Sequence, residues 1–266
     1  MIVSASSDIG FALAKSWTDS GFETAGTYRK PGDRVGLSSI GVLPIRCELT
    51  SRRSVMKATT AVAQIASSGG ITTVVFSAGV MDPIGLFGSV PFGKWAQAFE
   101  VNFLSQARFL HQIMENLAHG ARVVFFAGGG TNNAPTNYSA YILSKITTIK
   151  FCELMSKEYP DYSFVSLGPG WVDTKIHRQT IAAGQAAGEN LERTISRIST
   201  SETVPMELVI EKINQVLSLD KNIVSGRNFS LANDPIDDVD LVTALSQEDD
   251  LFTLRRRGND RFKLRG

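Results

Sequence analysis

The sequence predicts an α/β fold built on a doubly wound parallel sheet, and two observations carry that expectation. Seven short apolar runs rich in Val, Ile and Phe recur along the 266 residues, at 2–5, 23–28, 42–47, 71–77, 121–127, 163–167 and 227–231. Amphipathic stretches at 11–20, 54–67, 94–118 and 140–159 lie between them, each long enough for a helix. Strands alternating with helices are βαβ units, and right-handed crossovers place helices on both faces of the sheet. Such a sheet binds ligands at the carboxyl ends of its strands, where the winding reverses, so functional groups are expected on the loops that follow the strands.

Composition narrows the class further. With 43% hydrophobic and 20% charged residues, the chain suits one globular domain over 1–266. A formal net charge of +1 gives no field that would draw it to nucleic acid or to an anionic membrane, so the expected partner is a small molecule. Cys47 and Cys152 are far apart, in segments that read as strand end and helix, and are expected as reduced, buried thiols. The start of the chain shows no basic leader or apolar h-region, and no apolar stretch is long enough to span a bilayer; the expectation is a cytoplasmic protein. His111, His119 and His177 are scattered, and no His, Cys and carboxylate spacing reads as a metal site.

The first strand runs into Ser4-Ala5-Ser6-Ser7-Asp8-Ile9-Gly10, which opens a helix. Here a doubly wound fold turns backbone N–H groups and a positive helix end toward phosphate, and small residues let a cofactor come close. A plain helix N-cap by Ser6, Ser7 or Asp8 accounts for the same residues. The second strand ends at Tyr28, the interval after which a dinucleotide fold places an acidic residue on the adenosine ribose, and Arg29 and Lys30 follow. Cations without a carboxylate suit a 2′-phosphate, so NADP(H) is expected rather than NAD(H) unless these are ordinary surface charges.

Tyr141-Ile142-Leu143-Ser144-Lys145 lies in a helical stretch, so the tyrosine and lysine share one face a turn apart. A neighbouring ammonium favours a phenolate and is expected to bring the phenol closer to neutral pH as an acid or base. Read alone, such a pair is more often an aromatic anchor beside a solvated lysine. Two further segments stand apart. The polar stretch 176–205 reads as a substrate lid or as a helical cover for the sheet edge. The extension 234–266 begins with Asp234, Asp237, Asp238 and Asp240 and ends with Arg255, Arg256, Arg257, Arg261, Lys263 and Arg265, which form a solvated end or contact an anionic substrate or a subunit.

Taken together, the Ser4-to-Gly10 turn, Phe76-Ser77-Ala78-Gly79, Val101-Asn102, Tyr141-x-x-x-Lys145 and Pro169-Gly170-Trp171-Val172-Asp173-Thr174 resemble the short-chain dehydrogenase/reductase family in order and spacing. The resemblance covers nearly the whole chain and implies a single-domain Rossmann fold with a seven-stranded sheet. It implies that Tyr141 exchanges a proton with a carbonyl or alcohol oxygen while hydride moves to or from a nicotinamide. Lys145 would hold the nicotinamide ribose, and Asn102 would hold a water of the proton relay. For the cofactor, the resemblance implies Ser4, Ser6, Ser7, Asp8, Ile9 and Gly10 at the first turn, with Tyr28, Arg29, Glu48 and Leu49 around the adenosine. Ser77, Ala78 and Gly79 would lie beside it, and Pro169, Gly170, Val172 and Thr174 would hold the carboxamide. A homodimer or homotetramer is also implied, with Leu104, Ala107, Phe151 and Leu154 at the seam.

The chain departs from the family's pattern where Ser4 and Asp8 replace glycines. It departs again about thirteen residues before the tyrosine, where the family's catalytic serine gives way to Ala127-Gly128-Gly129-Gly130-Thr131. Loss of such a hydroxyl costs a few kcal/mol of transition-state stabilisation; Thr131 is out of register, while the glycines offer backbone N–H donors. A dinucleotide-binding sensor or interaction protein without turnover is therefore the alternative. The glycine stretch, Ser225-Gly226-Arg227-Asn228 and Leu254-Arg255-Arg256 are similar to a branch of the family found in bacterial surface-polysaccharide pathways, which would imply a sugar or nucleotide-sugar substrate.

Overall fold

The computed structural model describes residues 1–66, 69–200 and 202–256. Its strands are β1 (Ile2–Val3), β2 (Ala25–Tyr28), β3 (Leu43–Arg46), β4 (Ile71–Phe76), β5 (Leu117–Phe126), β6 (Ser163–Gly168) and β7 (Asn228–Ser230). They form one seven-stranded parallel sheet in the order β3-β2-β1-β4-β5-β6-β7. The winding reverses between β1 and β4, so the crevice of this Rossmann fold opens above the ends of those two strands.

Each central strand feeds two cores. Val74 and Phe76 of β4, with Val123 and Phe125 of β5, enter one cluster, while Val75, Val124 and Phe126 enter the other. Successive side chains of a strand point to opposite faces, which is why these strands read as continuous apolar runs with no polar alternation. On the first face, Val55, Ala58 and Val62 of α3 (Arg52–Ile65) and Phe109, Leu110 and Ile113 of α5 (Ser105–Ile113) cover the sheet. Phe76 stacks on Phe125 with ring centroids 4.4 Å apart and meets Phe109 edge-on at 6.2 Å. On the second face the cover is Leu13 and Ala14 of α1 (Asp8–Asp19), Leu37 of α2 (Asp33–Ser39), and Val209 and Ile213 of α9 (Met206–Ser218).

The remaining helices are α4 (Phe92–Phe99), α6 (Ser139–Glu158), α7 (Lys175–Ala183), α8 (Glu189–Ser199), α10 (Lys221–Val224) and α11 (Val239–Gln247). The expected helix over 94–118 is divided. It comprises α4, a π-helical turn at Glu100–Leu104, α5 and a 3-10 turn at Met114–Asn116. Leu117 and Ala118 belong instead to β5, because pairing of Leu117 with Ile71 takes their backbone into the sheet. The first strand stops at Val3, short of Ala5, because Ser4 adopts φ 67. The stretch 176–205 holds α8 and all but the first residue of α7; some of its polar residues lie on the helical surface, while His177, Thr180 and Thr194 are buried. The helix expected over 54–67 ends at Ile65, and Ser67 lies outside the described residues, as do Arg257, Arg261, Lys263 and Arg265. Among the described residues no helix is long and apolar enough to cross a membrane.

Candidate active site

A cleft of about 1220 Å³ runs along the carboxyl ends of the strands, between the turn after β1 and helices α7 and α8. Ser4, Ser6, Ser7, Asp8 and Ile9 line one wall. Ser7 caps α1 by accepting from the Gly10 amide at 3.1 Å and donates to Ser77 Oγ at 3.1 Å. Ser77 Oγ in turn donates to the carbonyls of Val3 and Ser4 at 2.9 and 3.0 Å. Gly10 sits inside this knot and does not line the cleft. A Cβ there would lie 2.6 Å from Ser77 Oγ and 2.7 Å from both Ser4 O and Ser7 Oγ. Ser4 holds its left-handed φ although it is not glycine, and its amide donates to Thr27 Oγ1 at 2.7 Å. The amides at the first turn of α1 have no carbonyl within their own helix to bond and lie at its positive end.

The adenosine side departs from expectation at one residue. Arg29, Glu48 and Leu49 line the cleft, but the Tyr28 side chain is buried in the core and is not among the lining residues. The reason is alternation: with Arg29 turned to the cleft, its neighbour faces the sheet interior. Arg29 Nε lies 4.0 Å from Glu48 Oε2 with both side chains well exposed, a contact worth little in water. Lys30 lines the same end.

At the centre, Tyr141 and Lys145 project from α6 into the cleft and are both buried, at 8% and 4% exposure. Lys145 Nζ donates to the Phe126 carbonyl at 2.8 Å and lies 5.7 Å from the Tyr141 ring centroid. Burial pushes the Tyr141 phenol up to about 12 and brings Lys145 down to about 8. The expectation that the ammonium lowers the phenol is thereby corrected for the protein without ligand. Desolvation disfavours both charged forms and outweighs the attraction between them.

Asn102 sits in the π-turn, 1% exposed and behind the cleft wall. Its Oδ1 accepts from the Val80 amide at 2.8 Å, and its Nδ2 donates to Val80 O at 2.9 Å and Ser144 Oγ at 3.1 Å. Its carbonyl accepts from Gln106 Nε2 at 3.0 Å, an amide that also donates to Ala78 O and Val101 O. Ser144 Oγ donates to the Tyr141 carbonyl at 2.6 Å. In the protein without ligand Asn102 serves as a brace, its side chain meeting protein partners and its carbonyl accepting from Gln106. Asn102, Gln106 and Ser144 tie the cleft-lining segment Ser77-Ala78-Gly79 to the helix that carries Tyr141 and Lys145. Gln106 and Ser144 were not legible as site residues, since buried amides and hydroxyls carry no sequence periodicity.

Thirteen positions before Tyr141 stands Gly128, and a Cβ added there would lie 2.2 Å from the Tyr141 hydroxyl. The tyrosine thus occupies the space that a side chain at 128 would need. Pro169, Gly170, Val172 and Thr174 line the cleft opposite, joined by Trp171, His177, Arg193 and Arg197. Trp171 stacks on His177 with centroids 4.0 Å apart, and the Arg197 guanidinium lies 5.9 Å from the Trp171 ring centroid. Burial lowers His177 to about 4, despite the nearby Asp173, so its imidazole is neutral at pH 7. Arg255 does not line the cleft and pairs with Glu153 at 2.7 Å; Arg227 donates to the carbonyls of Ile223 and Glu248. Among the described residues no group of three or more His, Cys, Asp or Glu is placed to hold a metal ion.

The short chain dehydrogenase family model matches residues 1–184. An uncharacterized oxidoreductase of Schizosaccharomyces pombe is 26% identical over 158 residues, covering 58% of this chain and 64% of that protein. An uncharacterized oxidoreductase of Saccharomyces cerevisiae is 24% identical over 134 residues, covering 49% of this chain and 53% of that protein. The matches thus span less than two thirds of the length of either relative. Among solved structures, a short chain dehydrogenase/reductase from S. cerevisiae has a TM-score of 0.80 at 18% identity, covering 95% of this chain and 98% of that one. Actinorhodin polyketide ketoreductase with NADPH has a TM-score of 0.75 at 19% identity, covering 88% and 97%. At these identities the solved structures speak to the fold.

Proposed function

The chain belongs to the short chain dehydrogenase family, and on that premise we propose that it is an NADP(H)-dependent oxidoreductase acting on a small carbonyl or alcohol substrate. The observation that carries this reading is the pair Tyr141 and Lys145, buried side by side where α6 faces the cleft. The cleft suits a dinucleotide at both ends. First-turn amides and the end of α1 offer a phosphate seat, and Arg29 and Lys30 stand by the other end with no carboxylate at the close of β2. The structural neighbour that carries NADPH is consistent with the 2′-phosphate reading.

The nicotinamide, when bound, supplies or takes up the hydride. Tyr141, a neutral phenol at pH 7 because its pKa is about 12, is the proton donor for a substrate carbonyl oxygen. As its proton leaves, the Lys145 ammonium offsets the charge on the phenolate. That balance is stronger in a buried site than in water. Asn102, Gln106 and Ser144 fix the angle of α6 against the segment after β4, so the phenol keeps its aim. The helices α7 and α8 form the lid of the substrate end, where Trp171 and Arg197 meet the substrate. A sugar or nucleotide sugar suits these polar and cationic walls. Leu104, Leu143 and Leu154 remain exposed on the outer faces of the π-turn and α6 and form the seam of a homo-oligomer. Phe151 is not part of it, since its ring packs inward on Phe103 and Phe125.

Calorimetric titration with NADPH and with NADH tests the cofactor, and Arg29→Ala is expected to weaken NADPH by about tenfold while sparing NADH, one charge-assisted hydrogen bond being worth 1.5–3 kcal/mol. Tyr141→Phe is expected to abolish hydride transfer with cofactor affinity unchanged; turnover equal to the wild type would remove Tyr141 from its role. A dinucleotide-binding protein without turnover is the second reading, favoured by Gly128 in place of a hydroxyl, and it predicts cofactor binding with no reduction of any carbonyl offered.

A further inference from the structure

Asp8 stands in the first turn of α1, where the family's pattern has a glycine, and its carboxylate is engaged at both oxygens. Oδ2 accepts from the Lys175 backbone amide at 2.7 Å, and Oδ1 lies 3.1 Å from Lys175 Nζ. Lys175 is the first residue of α7, whose N-cap, Thr174, makes no side-chain capping bond. One carboxylate therefore serves two helix ends: it is the acidic residue in the first turn of α1 and the cap of α7. Both Asp8 and Lys175 line the cleft, Asp8 with 25% of its side chain exposed and Lys175 with 72%. An anionic group of the protein thus lines the cleft beside the first turn, bonded to the leading amide of α7, next to amides that suit a diphosphate.

We propose that Asp8 is a latch: it holds α7 closed against the first turn by binding Lys175, and the pyrophosphate of a dinucleotide displaces it. The proposal rests on the cofactor reading above. Entry of the diphosphate removes Asp8 from the Lys175 amide, frees Lys175 Nζ to pair with phosphate, and releases the N-terminus of α7. Cofactor arrival is thereby coupled to movement of the helix that walls the substrate end.

The test is titration of NADPH into the wild type, Asp8→Gly and Asp8→Asn, with hydrogen exchange of the α7 amides followed in parallel. Asp8→Gly is expected to bind NADPH about tenfold more tightly, the scale of one charge-assisted bond no longer in competition. Asp8→Asn keeps an acceptor for the Lys175 amide without the charge and is expected to fall between. Exchange across 175–183 should rise in the wild type on adding NADPH, and should already be raised in ligand-free Asp8→Gly. Thermal melts of each variant separate these effects from loss of fold. Wild-type binding with equal or weaker affinity in Asp8→Gly, or α7 exchange indifferent to NADPH, overturns the latch and leaves the cofactor reading standing. If neither the wild type nor the glycine variant binds NADPH, both fall together.

Discussion

Lys145→Met isolates the cost of burying the site's ammonium. In the folded protein desolvation brings Lys145 from 10.5 down to about 8, so between those values the unfolded chain holds a proton that the folded chain has released. Stability then rises with pH across that window, at up to about 1.4 kcal/mol per pH unit. Between pH 7 and pH 10 the contribution sums to about 2.5 kcal/mol. Methionine keeps the length of the side chain and removes the titration. Its other effects, an unpaired Phe126 carbonyl and altered packing, do not vary with pH. Tyr141 acts in the opposite sense, since its pKa is raised from 10.0 to about 12 and stability falls as pH climbs through that range, but the term is shared by both proteins and drops out of the comparison. Urea unfolding of wild type and variant at pH 7, 8, 9 and 10 gives the difference directly. Wild-type stability is expected to gain about 2.5 kcal/mol on the variant over the series. A difference that stays flat would mean that Lys145 keeps its ordinary pKa in the fold, and the argument that burial keeps the Tyr141 phenol protonated would lose its companion.

Gly10→Ala places a methyl 2.7 Å from the Ser4 carbonyl and 2.6 Å from Ser77 Oγ, and backbone cannot yield as a flexible side chain does. A loss of about 1–3 kcal/mol in urea unfolding is expected, and an unchanged midpoint would show that the turn is looser than described. Gly128→Ser puts its Cβ 2.2 Å from the Tyr141 hydroxyl and must displace it. Carbonyl reduction is expected to fall about a hundredfold in kcat with NADPH affinity kept, as for a misplaced catalytic group; a gain in kcat would show that the serine position is still usable.

The doubly wound seven-stranded sheet and the placing of Tyr141 and Lys145 on one helix face were legible in the sequence for physical reasons. Strands buried on both faces are rich in apolar residues, so β4, β5 and β6 stand out by their Val, Ile, Leu and Phe, and a Tyr and Lys four apart on a helix face one way wherever the helix lies. Boundaries were less legible. Ser4 ends β1 by adopting φ 67, which no composition rule assigns to serine, and the division of 94–118 comes from a π-turn and from pairing of Leu117 with Ile71, both tertiary effects. The Tyr28 side chain turns inward by the alternation along β2, which its motif position does not encode. The Asn102, Gln106 and Ser144 brace was invisible for a similar reason: it joins residues from separate helices, and only the packed structure shows that their polar groups find one another instead of water.

The two departures from the family's pattern that bear on the cleft have a common physical form. At Gly128 a side chain is missing, and the Tyr141 hydroxyl occupies its volume; at Asp8 a side chain is added, and it reaches across the cleft mouth to Lys175. Each change alters the surroundings of the neighbouring group. Tyr141 has no side-chain partner at 128 and lies in a desolvated pocket, where the neutral phenol is the stable form. In the latch proposed above, Asp8 leaves its helix end before phosphate takes it. A chain that had merely drifted from activity would be expected to leave voids and unpaired charges at such positions. Here the glycine is filled and the carboxylate is paired at both oxygens, which is the arrangement expected of a site whose ligand-free state is itself held in place.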